Sequence, residues 1–584
     1  MDLNKNAKIL TLLVLSFITT NILNAQDSTV KKLQFIISLK DKTGTPFTID
    51  HPESFLSPRA IERRQRLQIP INEEDLPLNP SYRDQISQIP GVHILYTSRW
   101  FNNLTIELDT TITSTQVIRN LPFVKSIDYI GGTPIREQKD TTRTSEDYLT
   151  SNKEFDYLRL SYHSDRLLSI PEYYGKGWEQ IQMLSGHVVH KEGYTGAGIL
   201  IAMLDVGYQN YDRLPIFDSL MVNNRIIAYN DFVDFNGSVW EDGSHGTNAL
   251  SCIAANVPGV FVGTAPEAYF VLVRTENEGF ESRIEESNWL AGAEYADSIG
   301  ADLISSSLGY TTFSENEFSH TYSDMNGKTT VITLAADKAY EKGIIVMNSA
   351  GNEGYSPWHY IGAPADGEHV VAAGGVDEYM YPSTFSSYGP TSDNRIKPNI
   401  SALATDVIVA ESNGDIGPSN GTSFSNPILS GMMACMLQAC PDKTLDQILD
   451  AVYRSGSHYA TPNSRYGYGV PHFEMALAIL GKLKNFDPNY NHIFENEIQK
   501  GFALATLRLY SAYVQKVTIT LKKQTGHNKF SKIVKTKVKL KAGDFYSTPW
   551  LIDYLQKKPL KKGYYIIEIK SDYMNYQRLL SVGG

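Results

Sequence analysis

Between residues 171 and 482, uninterrupted apolar runs recur, separated by helical stretches. The runs are GILIAMLD (198–205), AYFVLVR (268–274), ADLISSSL (301–308), GIIVMNSA (343–350) and HVVAAGGV (369–376). A strand with one wet face alternates apolar and polar residues, whereas a continuous apolar run must be buried on both faces. Stretches such as IEESNWLAGAEYADSIG (284–300) and VITLAADKAYEKG (331–343) lie between the runs and read as helices. The pattern predicts an α/β domain, a parallel sheet with helices on both faces. In such a sheet the functional loops gather at the carboxyl ends of the strands.

At 584 residues the chain is too long for one core. Lys5 and Lys8 precede an apolar run, ILTLLVLSFITTNIL (9–23), with a cleavage point at Ala25-Gln26. Residues 1–25 therefore read as an export signal, the run being too short and too threonine-rich for a membrane span. The expectation is a secreted or cell-surface protein without stable membrane insertion after signal removal. Residues 26–131 carry KLQFIISL, VHILYTSRW, NLTIELD and VKSIDYI as strands. Helices at 57–67 and 114–123 complete an order that suits a ferredoxin-like α+β module with an inserted helical segment. Residues 132–170 are polar and charged without an apolar period, as in an exposed linker. Residues 483–584 alternate apolar and polar residues and read as a small β-rich domain.

A formal net charge of -11 disfavours nucleic acid as a partner. Three cysteines, Cys252, Cys435 and Cys440, do not make a disulfide framework and read as small buried hydrophobes.

Four phrases carry chemistry. Asp205 ends the first apolar strand, where DVG turns the chain. A carboxylate there is a catalytic or ligand residue, or else a turn former. His245, in EDGSHGTNALSCIAA (241–255), is delivered by a glycine-rich approach to the start of an apolar helix. The helix dipole disfavours its cation, so a neutral imidazole able to act as a base is expected. Asn352, in VMNSAGNEGYS (346–356), has a side-chain amide that can donate to an oxyanion or simply form a turn. Ser423, in SNGTSFSNP (419–427), opens a helix with Pro427 expected within the first turn. Its own backbone amide would then point outward at the positive helix end, as an oxyanion donor. The competing G-x-S-x-G hydrolase arrangement needs the order Ser, Asp, His, and Ser425 stands where its last glycine belongs.

The phrases AMLDVG, GSHGTNALSCIAA, SSSLGY, VMNSAGNEG and NGTSFSNPILSG resemble those of subtilisin-like serine proteases, over about residues 172–482. The resemblance implies Ser423 as nucleophile, His245 as base and then acid, and Asp205 as the carboxylate that fixes the imidazole. It implies Asn352 and the Ser423 amide as the oxyanion hole. It also implies that Ser306, Ser307, Leu308 and Gly309 form an edge strand pairing with substrate backbone. The partners implied are protein or peptide substrates and the chain's own propeptide, residues 26–131, as intramolecular inhibitor. No cofactor is required. Relatives often carry structural calcium, but no contiguous ligand spacing for it is evident.

Three residues depart from the usual phrases: Val206 in place of a hydroxyl residue, Asn248 after HGT, and Phe424 after the nucleophile. They bear on pocket shape and on the groups around Asp205. The C-terminal KKGYYIIEIKSDYMNYQRLLSV resembles the sorting modules of secreted Bacteroidetes proteins, and reads equally as an accessory β-domain. The alternatives to a secreted endopeptidase are a silent surface binding protein on the same scaffold, and a peptide ligase whose acyl-enzyme is captured by an amine.

Overall fold

The computed structural model describes residues 32–132, residues 168–483 apart from Glu241, and strand segments between 491 and 582. Residues 1–25, read above as an export signal, and nearly all of residues 132–170, read as a linker, lie outside the described residues. The described chain forms two units. One contains residues up to 50, residues 72–142 and residues 282–284. The other contains residues 51–71, 143–281 and 285–584.

In the first unit the strands are β1 (Lys32–Leu39), β2 (Val92–Ser98), β3 (Asn103–Asp109) and β4 (Val124–Gly132). They form an antiparallel sheet in the order β2-β3-β1-β4, which is the ferredoxin-like arrangement. Phe35, Ile37, Leu104, Ile106 and Leu108 alternate inward and pack with Ile86, Ile118 and Phe123. That apolar face gives the module its own core.

The inserted helix α1 (Pro58–Arg66) begins as its sequence predicts. Ser57 caps it by accepting from the Ala60 amide, and proline occupies the first turn. Residues 51–71 nevertheless pack with the second unit rather than with the strands that flank them in sequence.

The second unit is built on a seven-stranded sheet with every neighbouring pair parallel. Its strands are β5 (Leu200–Asp205), β6 (Ile226–Asp231), β7 (Tyr269–Arg274), β8 (Leu303–Ser306), β9 (Ile345–Ser349), β10 (Val371–Val376) and β11 (Ile400–Leu403). The order across the sheet is β11-β10-β9-β8-β5-β7-β6. All five strands expected from apolar runs are present. The two edge strands, β6 and β11, carry no such run. β6 reads IIAYND and alternates half-exposed and exposed positions before its buried end, and β11 has only four residues.

The helices that matter for the site are α2 (His245–Ala254), α3 (Ile284–Ile299), α4 (Val331–Glu341) and α5 (Thr422–Ala439). α5 is buried along almost its whole length. It packs against α2 and against β8 to β11, so it crosses the centre of the unit rather than covering its surface. A helix buried all round lacks an amphipathic stripe, and this one accordingly carries no charged residue.

The three cysteines are free and buried, and burial pushes each thiol pKa up, to about 11 for Cys440. Toward the C-terminus, Gln515–Gly526, Lys529–Leu540, Gly563–Lys570 and Asn575–Val582 form an antiparallel sheet, as the alternation predicts. Among the described residues no helix is long and apolar enough to cross a membrane.

Candidate active site

Asp205 is the last residue of β5, in the middle of the sheet, and is buried. His245 is the first residue of α2. The two loops that carry them touch: a Cβ on Gly246 would lie 2.2 Å from the Gly207 carbonyl oxygen. The glycines in DVG and SHG thus mark a backbone approach that no side chain permits. The approach sets the pair, with His245 Nδ1 at 2.8 Å from Asp205 Oδ1. The same carboxylate oxygen accepts from the Val206 amide at 2.9 Å. A backbone donor therefore serves Asp205 although Val206 lacks a hydroxyl.

The imidazole differs from the sequence expectation. Burial works against its charged form, but the charge and hydrogen bond of Asp205 outweigh it, with Glu278 adding to them. The pKa is raised above the ordinary histidine value, not lowered by the helix dipole.

Ser423 is the second residue of α5, after Gly421 and Thr422. Its neighbour Phe424 is buried, with its ring centroid 5.8 Å from that of His245. No hydrogen bond joins the Ser423 hydroxyl to the imidazole in this structure, as is common for such pairs before substrate tightens them. Because α5 begins at Thr422, Pro427 sits beyond the first turn, inside the helix. That corrects the expectation that Pro427 falls within the first turn. The missing proline amide would have bonded the carbonyl four residues back, which is that of Ser423. Ser307 supplies the donor instead, its hydroxyl reaching the Ser423 carbonyl oxygen at 2.9 Å.

Asn352 lies three residues past β9. Its Oδ1 accepts from the Thr422 amide at 2.9 Å and from the Thr422 hydroxyl at 3.0 Å. With the oxygen held, the amide nitrogen is turned the other way. A Cβ built on Gly421 would lie 3.6 Å from Asn352 Nδ2 and 3.7 Å from the Ser423 backbone nitrogen. Two nitrogen donors therefore border the space that the absent side chain of Gly421 leaves open.

The stretch 306–309 divides. Ser306 is not on an edge: it is fully buried and paired on both sides, with Leu204 of β5 and Asn348 of β9. Its hydroxyl accepts from Trp289 Nε1 at 2.9 Å and its carbonyl from Asn426 Nδ2 at 3.0 Å. Ser306 is a sheet residue, because the strand runs through the centre and ends there. Ser307 turns its hydroxyl toward α5, the Leu308 side chain is buried and Gly309 is exposed.

Three comparisons bear on this geometry. The family model described as the Subtilase family, Peptidase S8, matches residues 196–469. A model described as a Peptidase S8 propeptide domain of Bacteroidota matches residues 34–146. Subtilisin NAT of Bacillus subtilis subsp. natto is 30% identical over 301 residues, covering 51% of this chain and 70% of that protein. The chain belongs to the subtilase family. Subtilisin E of Bacillus subtilis (strain 168) matches at the same identity and coverage. Subtilisin of Bacillus pumilus is 29% identical, with 97% of its length covered.

This subtilase is a subtilisin-like serine endopeptidase with an N-terminal propeptide domain. Several of its supporting residues escape sequence reading. Thr422 and Ser307 sit in the quoted phrases, but their bonds run to residues 70 and 116 positions away. Arg274 is the last residue of β7 and is buried among Asp234 at 2.5 Å, Asp242 at 3.4 Å and Asp231 at 3.6 Å. Its Nε donates to the Val206 carbonyl at 3.1 Å and so braces the turn after Asp205. An arginine ending an apolar strand at the sheet's carboxyl end was the available signal. Asn248 donates to Glu411 Oε2 at 3.1 Å, which gives that departure a local role. Among the described residues no group of three or more His, Cys, Asp or Glu side chains is arranged to hold a metal ion.

Proposed function

We propose that this subtilase hydrolyses peptide bonds through Ser423, His245 and Asp205 by way of an acyl-enzyme. The observation that supports the assignment is that Asn352 Nδ2 and the Ser423 backbone nitrogen both border the open space beside Gly421. Donors fixed in advance at the point where negative charge develops stabilise a tetrahedral oxyanion without reorganising. His245, oriented through Nδ1 by Asp205, presents Nε2 to take the Ser423 proton and later to return it to the leaving amine. The main chain of Ser307, Leu308 and Gly309, which leaves the sheet beside α5, is the part of the 306–309 stretch suited to pair with an extended substrate. No step requires a metal.

In the same reading the protein is exported by its 1–25 signal and made as a zymogen. Residues 26–131 are the inhibitory propeptide, and the active form begins between residues 132 and 171. An exposed polar linker is where nicking concentrates.

The test is Ser423→Ala in the full chain. A fluorophosphonate probe should label the wild type and not the variant. Turnover should fall on the order of a million-fold, the loss known for subtilisin itself rather than a value calculated for this chain. N-terminal sequencing should find the variant unprocessed and the active wild type starting between 132 and 171. Labelling that persists in Ser423→Ala would reject the nucleophile. Fully active enzyme still beginning near Gln26 would reject the propeptide.

A further inference from the structure

The lysines of this chain are unevenly spread. Residues 515–540 hold eight of them and no aspartate or glutamate, in a chain whose net charge is -11. That segment folds as two neighbouring antiparallel strands, β12 (Gln515–Gly526) and β13 (Lys529–Leu540). On its other side β12 pairs with β14 (Gly563–Lys570), and β13 lies at the edge of the sheet.

The pairing sorts the charges by face. Val517, Ile519 and Leu521 of β12 share one face with Ile567 and Ile569 of β14, and all are buried. The residues between them point the other way. On that second face Lys516 stands opposite Lys539, and Thr520 opposite Lys535. Thr518 lies between Lys537 on one side and Lys570 on the other. After an irregularity between Leu521 and Lys522, Lys522 stands opposite Lys532. Seven lysines from three strands thus cover one face, and all but Lys522 are exposed. Among the described residues one carboxylate meets them, the buried Glu568, and it pairs with Lys522.

This arrangement works against the isolated sheet. Lys516 with Lys539, and Lys522 with Lys532, are like charges directly opposite each other, which destabilises a strand pair. Lysine on an edge strand guards against edge-to-edge association, and that accounts for the charges of β13. It does not account for Lys516 and Lys570, whose strands are paired on both sides. A partner that supplies the missing negative charge does.

The chemistry of the face narrows the partner. Charges about 7 Å apart along a strand and about 5 Å apart across strands form a broad array, not a groove that follows one polymer. Every cation is a lysine, a compact point charge, and no arginine fork is there to grip a single phosphate by two bonds. Thr518 and Thr520 separate the lysines of β12 and offer no ring on which a nucleobase could stack. Many separate attractions spread over an area are how a protein adheres to a charged bilayer.

We propose that this lysine face docks the protein on a membrane surface whose headgroups carry phosphate. The contact is electrostatic and peripheral, with no segment inserted. It does not depend on the protease reading. Combined with that reading, it confines proteolysis to proteins at or near the surface.

The experiment uses the chain from Gln26 onward with Ser423→Ala, so that neither the apolar run at 9–23 nor self-digestion intervenes. Sedimentation measures binding to phosphatidylcholine vesicles with and without about one-third phosphatidylglycerol. Each lysine near an anionic surface is worth about fivefold in binding. Binding should be at least about tenfold tighter to the anionic vesicles and should weaken as salt rises. Lys535→Gln with Lys537→Gln and Lys539→Gln should weaken it at least about tenfold without lowering thermal stability, since repulsion is relieved. The same change of net charge elsewhere, at the exposed Lys125, Lys191 and Lys328, should leave binding within about threefold. If the first triple variant does not fold, Lys516→Gln with Lys532→Gln removes one member of each opposed pair and should weaken binding at least about fivefold. Equal binding to neutral and anionic vesicles, a smaller loss than these in the face variant, or equal losses in the two triple variants would overturn the proposal. So would tighter binding to a single-stranded oligonucleotide than to the vesicles. Displacement by inorganic phosphate at constant ionic strength would also overturn it, by marking a site for one phosphate group instead of a surface.

Discussion

The Ser307 hydroxyl donates to the Ser423 carbonyl oxygen at 2.9 Å, and it does so because Pro427 cannot. The proline removes one rung of the α5 ladder one turn beyond the nucleophile, and a side chain from the end of β8 replaces it. Ser307→Ala should therefore leave a carbonyl without its donor and destabilise the fold by roughly 1–3 kcal/mol. Pro427→Ala in the same chain restores a backbone donor and should recover part of that loss. A double-mutant cycle by denaturant unfolding in the Ser423→Ala background measures the coupling. Strictly additive losses would show that the two residues do not share the carbonyl.

Thr422 orients Asn352 through both its amide and its hydroxyl. Thr422→Val keeps the shape and removes one of the two bonds. Turnover is expected to fall about five- to tenfold with the Michaelis constant little changed. Asn352→Ala should cost roughly a hundred- to thousand-fold in turnover, the loss known for removing an oxyanion donor in subtilisin. A raised Michaelis constant with unchanged turnover in either variant would make these binding residues.

The acid limb of activity follows His245. Its pKa is raised, burial being outweighed by Asp205 and Glu278. The imidazole must be neutral to accept the serine proton, so kcat/KM should rise with pH through a value above the ordinary histidine range. Glu278→Gln removes a negative charge that favours the imidazolium, so the limb should move to lower pH. A limb that stayed in place, or moved up, would contradict this assignment of the raised pKa.

Arg274 is the buried counter-charge of Asp231 and braces the Val206 carbonyl. Burial raises the Asp231 pKa, and the arginine acts against that. Arg274→Met should destabilise the unit by about 3–5 kcal/mol, because the buried carboxylate of Asp231 loses its counter-charge. Thermal or denaturant unfolding checks it, and a loss below 1 kcal/mol would show the cluster to be solvated in solution.

Gly431 lies in α5 against the loop that follows α2. A Cβ there would fall 2.1 Å from the Thr264 hydroxyl oxygen. Gly431→Ala is expected to destabilise by roughly 1–3 kcal/mol despite the better helix propensity of alanine, since overpacking outweighs propensity here. A stabilised variant would mean that Thr264 moves away freely.

Much of this protein was legible in its sequence, for reasons that can be stated residue by residue. Continuous apolar runs such as ILIAML cannot lie on a wet face, so the parallel sheet followed from burial alone. Asp205, His245, Asn352 and Ser423 stand in short phrases whose glycines and helix starts carry local meaning, and local meaning survives in one dimension. What only the tertiary structure decided is what meets across long separations. The sequence pattern of 306–309 resembles a substrate-pairing edge, yet Ser306 is interior, because strand order rather than strand composition determines which strand is central. A helix N-terminus disfavours a charged His245, but the facing charge of Asp205, 40 residues away in sequence, helps raise the pKa all the same. The helix at 58–66 was predicted from its cap and its proline. That it packs with the catalytic unit was not, because the reason lies in Asp297, Asp302, Gly300 and Gly343, whose hollows and charges exist only once the chain has folded around them.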